Sequence, residues 1–339
     1  MRESVLRGTA RHESEWISAH AFYQDELDLL VTGVVDPLVS LLAERDLARE
    51  FFFLRYWDGG SHVRLRVLPT RQADRSEIEA IVTGHFGTFL ARNPSPDRIA
   101  QREYARMARS LAERESMTEY SATLCPNNSV AFVPYRREHE RYGTGRSVQA
   151  VERHFADSSR IALAVLNRGA TMDQRASAAT AMILLTWLSY DPDPASLAQW
   201  ISKDGKRITD IDRTAGEKFD DLVLAQRDRA VTLARQMHAL TANPPPASAQ
   251  GTLVDWLRTI NTLRDRLIAH VAAGVFVPPT RGWEGPDGIA THDPRARVLT
   301  VLDVCAHLVC NRLGLSPVAE GGIRRLAVAA LADLAEQGW

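Results

Sequence analysis

The stretch from Phe51 to Val67 constrains the fold more than any other part of the chain. Phe51-Phe52-Phe53-Leu54-Arg55-Tyr56-Trp57 is aromatic-rich and suits a pleated, part-buried surface. Asp58-Gly59-Gly60-Ser61 follows as a turn, and His62-Val63-Arg64-Leu65-Arg66-Val67 then alternates strictly between polar and apolar. The sequence predicts a β-hairpin. A period of two puts Val63, Leu65 and Val67 on one face and His62, Arg64 and Arg66 on the other.

Around the hairpin the pattern is mostly helical. Residues 13–46 space Trp16, Ala19, Phe22, Leu27, Leu30 and Val34 by three and four, which predicts a helix kinked at Pro37. Two helices are expected near 74–91 and 96–114, then one or two strands within 118–133, broken at Pro126-Asn127-Asn128. Residues 134–145 read as a polar loop, with Ser147 capping a helix to about Leu166. Further helices are expected over 173–189, 195–202, 213–240, 253–273, 297–313 and 317–337. Residues 241–250, with Pro244-Pro245-Pro246, form a stiff linker and candidate hinge. The fold class is therefore α+β, a single domain over residues 1–339. An antiparallel sheet belongs to the N-terminal half, and the C-terminal half is mostly helical.

Composition narrows the function. The 339 residues carry 41 basic and 42 acidic side chains, a net charge of −1, which argues against a chain built to grip nucleic acid. Cys125, Cys305 and Cys310 make an odd, sparse set with no Cys-x-x-Cys pair, as expected of a reducing compartment. The charged N-terminus has no apolar core of a signal peptide, and no run approaches the ~20 apolar residues of a membrane span. A cytoplasmic protein without a membrane partner is expected. No glycine-rich phosphate loop, His-Glu-x-x-His, Gly-x-Ser-x-Gly or metal-type histidine spacing occurs, so neither metal nor cofactor is expected.

Three places can carry chemistry. Arg64 and Arg66 project two forked guanidinium groups from one strand face, suited to a carboxylate, phosphate or peptide carbonyl. The same pattern also serves as the solvated face of an edge strand. Arg136 through Tyr142 places seven ionisable side chains before a glycine turn, with Glu138 among cations. His307 and Asn311 share a face of a largely apolar helix, where a histidine is either a core residue or a proton shuttle.

The order of these blocks carries a resemblance. Trp16 is followed by Phe51–Asp58, His62-Val63-Arg64-Leu65-Arg66 and Glu138-x-x-Arg141-Tyr142-Gly143. Then come Val151-Glu152-x-x-Phe155-x-Asp157-Ser158 and His307-x-x-x-Asn311-Arg312-Leu313. Across residues 13–337 the chain resembles the C-terminal elimination domain of lantibiotic dehydratases and the related stand-alone proteins of thiopeptide gene clusters. The resemblance implies a ribosomal precursor peptide, leader plus dehydrated azole-containing core, as partner. It implies one of two reactions: elimination of glutamate from glutamylated serine, or pyridine synthesis from two dehydroalanines with loss of water and leader. A leader-binding adaptor without turnover is a third reading. The pattern departs from the eliminases at Gly143-Thr144-Gly145, where paired glycines are usual, and in the arginine-rich segment 92–114, which looks inserted. Both departures favour the synthase. Carried onto this chain, the catalytic residues are His307, Tyr142, Arg141 and Glu138. Arg64, Arg66, Asn311 and Arg312 are expected to bind substrate, and Trp283 to stack on its azoles.

Overall fold

The hairpin forms as its alternation requires. In a computed structural model, which describes residues 15–114, 119–203, 216–276 and 294–337, β2 (Ala48–Tyr56) and β3 (His62–Pro69) pair antiparallel. Phe52 stands opposite Arg66, Leu54 opposite Arg64 and Tyr56 opposite His62. Gly59 and Gly60 take φ of 84° and 113° in the turn, a region that favours glycine.

Residues 13–46 depart from the expected helix. Ile17–Phe22 is strand β1, paired with β3 so that Ser18 faces Arg66, His20 faces Arg64 and Phe22 faces His62. Every residue of β1 is buried; Ile17, Ala19 and Ala21 alternate with Ser18, His20 and Phe22, but Trp16, Ala19 and Phe22 also fit a spacing of three, and that competing pattern reads as helix. A helical region follows, α1 (Leu27–Leu30) and α2 (Asp36–Glu44), joined by a π-turn at Val31–Val35. The Asp36 N–H reaches back five residues to Val31 O, and Pro37 then sits in the first turn of α2, where a missing N–H is tolerated.

After α3 (Arg75–Arg92) and α4 (Gln101–Arg114), β4 (Ser129–Phe132) completes the sheet beside β1, in the order β2-β3-β1-β4. Short helix α5 (His139–Tyr142) interrupts the expected loop. The helical half comprises α6 (Arg146–Leu166), α7 (Met172–Tyr190), α8 (Pro194–Lys203), α9 (Gly216–Ala242), α10 (Thr252–Ala272), α11 (Pro294–Arg312) and α12 (Pro317–Glu336). α7 is its axis: residues 179–189 are all buried, and α9 to α12 pack around it. The proline segment lies between α9 and α10, with the carbonyls of Ala247 and Ala249 bonded by Arg258. Ser147 does not cap α6. Gly145 holds that position, and the Ser147 hydroxyl meets His270 Nδ1 at 3.1 Å instead.

Sheet and helices meet along the outer edge of β2, which has no strand beside it among the described residues. The Asn311 side-chain amide accepts from Arg55 N (2.9 Å) and donates to Arg55 O (2.8 Å), doing the work of a neighbouring strand. Arg312, fully buried, donates Nε to Phe53 O (3.0 Å) and Ser159 Oγ (3.1 Å), and Nη1 to Ser158 Oγ (3.2 Å). Both residues were expected at the substrate. These bonds commit them to the joint between α11, α6 and the sheet.

Candidate functional site

One face of the sheet carries Ser18, His20 and Phe22 from β1, Phe52, Leu54 and Tyr56 from β2, and His62, Arg64 and Arg66 from β3. It is an enclosed basic surface. The Arg64 guanidinium lies 3.5 Å over the Tyr56 ring and donates Nε to His62 Nε2 at 3.0 Å. His62 must then carry its proton on Nδ1, which donates to Gly60 O at 2.7 Å. Burial, against that carbonyl bond, holds the His62 pKa down to about 3. His20 stacks on His62 with ring centres 4.9 Å apart, and burial followed by Arg66 takes its pKa to about 2. Burial and then Arg64 lower Arg66 to about 9, so its charge is held at a cost.

Residues 134–142 lie across this face because Glu152 anchors them. Its buried carboxylate accepts from Arg137 Nε (2.8 Å), Arg137 Nη2 (3.0 Å) and Trp16 Nε1 (3.2 Å), and its charge acts on Tyr135 nearby. Tyr135 therefore seats against Trp16 and Phe52, with Arg66 5.3 Å from its ring. Next, Glu138 accepts from Arg141 Nη1 at 3.1 Å, both side chains half exposed. Tyr142 turns inward against Phe155, ring centres 5.3 Å apart, and burial pushes its phenol well above the ordinary value. The Glu138 charge is felt by Arg64, Arg66, Tyr135 and Tyr142. Arg64, Arg66, Glu138, Arg141 and Tyr142 thus share one region, where three guanidinium groups meet the carboxylates of Glu138 and of Asp58, the latter 4.0 Å from Arg64. Such an excess of donors suits oxygen acceptors on a ligand.

His307 is not brought to this region. Its Nδ1 bonds Glu320 at 2.8 Å, and its side chain is 52% exposed. Glu320 continues through Arg324 to Asp303, which accepts from Trp187. Cys305, felt by both Tyr142 and Arg312, marks the face of α11 that turns toward the cluster. His307, two positions on, points about 200° away around the helix. We expect His307→Ala to change turnover less than twofold and to lower stability by about 0.5–1 kcal/mol, the scale of a half-exposed bond. A stopped assay and a denaturant melt check both. Trp283 lies outside the described residues.

The structure adds three neighbours to the residues that the sequence singles out. His62 follows the arginines on their face, Tyr56 reads as a strand aromatic, and the helical reading of residues 13–46 hides His20. Tyr135 heads the charged block that the sequence marks. The hollows between α6 and α10, lined in part by Asp157, Asp255 and Arg258, share no residue with the cluster.

With this fold and this arginine-rich face in view, residues 16–331 match the lantibiotic biosynthesis dehydratase C-terminal family, and the chain belongs to it. Its fold is similar to that of the pyridine synthase TbtD from thiomuracin biosynthesis: TM-score 0.74, 21% identity, 96% of this chain and 100% of that one. It is also similar to TsrL, with TM-score 0.65, 15% identity and 95% of each chain covered. Against the tRNA-dependent lantibiotic dehydratase MibB from Microbispora sp. 107891 the TM-score is 0.58 at 17% identity. There 97% of this chain aligns with 29% of that one. No match was found among curated proteins. Among the described residues no helix is long and apolar enough to cross a membrane.

Proposed function

We propose that the protein is a thiopeptide-type pyridine synthase acting on a ribosomal precursor peptide that carries two dehydroalanines. The observation that carries this reading is the gathering of Arg64, Arg66, Arg141 and Tyr142 about the carboxylate of Glu138, with Asp58 at Arg64, beside imidazoles held neutral. Likeness in fold to a pyridine synthase along 96% of the chain supports it.

The reaction asks mainly for positioning. One dehydroalanine, with the preceding amide in its imidic-acid form, supplies C=C–N=C; the other supplies C=C. Two carbon–carbon bonds close the six-membered ring and the macrocycle. The former amide carbon then loses its hydroxyl as water, and the second α-carbon loses the leader as a carboxamide, leaving an aromatic pyridine. Holding the two arms together contributes several kcal/mol toward the barrier. In this reading Arg64 and Arg66 bind amide oxygens, and Tyr142, protonated at neutral pH, donates to the oxygen that becomes hydroxyl. Glu138, tied to Arg141 and half exposed, takes up the proton released on aromatisation.

Incubation with a dehydrated, azole-containing precursor tests the reading by mass spectrometry. Macrocycle and released leader are expected, and turnover should persist with chelator and without nucleotide. An unchanged mass would favour an adaptor. Conversion of a glutamylated precursor to dehydroalanine, with the dehydrated one untouched, would make the protein an eliminase.

A further inference from the structure

The sheet face holds a smaller feature that the Arg141–Glu138 pair leaves unused. Ser18, His20 and Arg66 are 5%, 7% and 7% exposed. Ser18 stands directly across from Arg66, and His20 lies one cross-strand pair further along, opposite Arg64. Side chains so paired lie ~5–8 Å apart on one face. Among the described residues, Ser18 Oγ, His20 Nε2, and Arg66 Nε and Nη1 have no hydrogen-bond partner. Buried polar atoms are nearly always paired, so four unpaired ones on one patch mark a place shaped for something else.

The chemistry of the four atoms defines the occupant. Arg66 can only donate; the Glu138 charge acts on it, and among the described residues no carboxylate bonds its Nε or Nη1. A neutral imidazole and a hydroxyl can each supply one more donor. A cation or an apolar group has no partner here; an oxygen with two or more lone pairs has three.

Resting on the function proposed above, we propose that Ser18, His20 and Arg66 form a subsite for one carbonyl or carboxylate oxygen of the precursor peptide. Ser18 and His20 are its binding residues on β1. His20 acts as a fixed hydrogen-bonding group in this subsite and moves no proton. The stacked His62, locked by Gly60 and Arg64, sets the plane of its ring.

Calorimetry separates this subsite from a pocket for structural water. Ser18→Ala and His20→Phe should each weaken binding of the dehydrated precursor roughly three- to tenfold, the scale of one hydrogen bond. Their melting temperatures should hold or rise, because each removes a buried unpaired group. His20→Gln, which returns a nitrogen near the Nε2 position, should restore most of the affinity. The opposite pattern, a lowered melting temperature with unchanged affinity, would mean that the atoms bind water only and would overturn the proposal. Repeating the titration with glutamylated precursor identifies the oxygen. A loss confined to that peptide assigns a carboxylate; a loss with the dehydrated peptide assigns an amide carbonyl. Equal affinity of wild type and variants for both peptides overturns the subsite alone. Failure of wild type to bind or convert either peptide overturns the proposed function.

Discussion

Arg66→Met should slow conversion of dehydrated precursor by a hundred- to a thousandfold while leaving the protein at least as stable. The two effects have one origin. Arg66 is almost wholly buried, its pKa is drawn down to about 9, and among the described residues Nε and Nη1 have no partner. A buried charge without a contacting counter-ion is a burden on the folded state, and an apolar side chain of similar volume relieves it. Losing one donor aimed at developing charge costs about 2.7–4 kcal/mol of transition-state stabilisation. Single-turnover kinetics and a thermal melt measure both. Linear precursor containing both dehydroalanines should accumulate. Accumulation of glutamylated peptide in a coupled reaction would point instead to elimination. A wild-type rate would remove the sheet face from the chemistry.

Arg312→Ala should do the reverse, lowering stability by about 3–5 kcal/mol. Arg312 and Arg66 are both buried guanidinium groups, but their hydrogen bonding differs. Arg312 bonds Phe53 O, Ser158 and Ser159, and lies 5.3 Å from the Phe155 ring. Truncation leaves the Phe53 carbonyl without that partner in a buried joint, about 1–3 kcal/mol, and opens a large cavity, about 2–5 kcal/mol, so the two together reach this scale. Denaturant unfolding gives the value. Arg312→Leu restores part of the volume but none of the bonds, so it should recover less than half the loss. Full recovery by leucine would show that packing, rather than the bonds to β2, holds the joint.

Much of the fold was legible because its periods are clean. The β2–β3 hairpin shows itself through the strict alternation of β3, although its polar face is enclosed rather than exposed, and the long helices through their length and apolar spacing. β1 misleads because its short alternation, Ile17-Ser18-Ala19-His20-Ala21, is embedded in a longer three-and-four spacing that runs from Trp16 to Val34 and reads as helix. That error also concealed His20, since its relation to Arg64 exists only through strand register. The charged block at 136–142 announces Glu138 and Arg141, yet their meeting with Arg64 and Arg66 depends on Glu152 pinning Arg137 and on Tyr135 packing against Trp16 and Phe52. No local pattern encodes a contact across that distance. His307 illustrates the converse. Helical spacing correctly placed it on the face of Asn311, but that face turns toward the β2 edge and α12. The cluster lies on the side of Cys305.

Asn311 standing in for a strand beside β2 has a consequence for synthesis on the ribosome. The amide that satisfies Arg55 is made 256 residues after it. At about 5–20 residues per second, the β2 edge waits roughly 10–50 s before its partner emerges. During that interval the aromatic edge at 51–57 offers open backbone to any passing extended chain. The nascent sheet is therefore the stage at which this protein is most open to aggregation, and codon changes that slow translation between β2 and α11 should reduce soluble yield without altering the purified product.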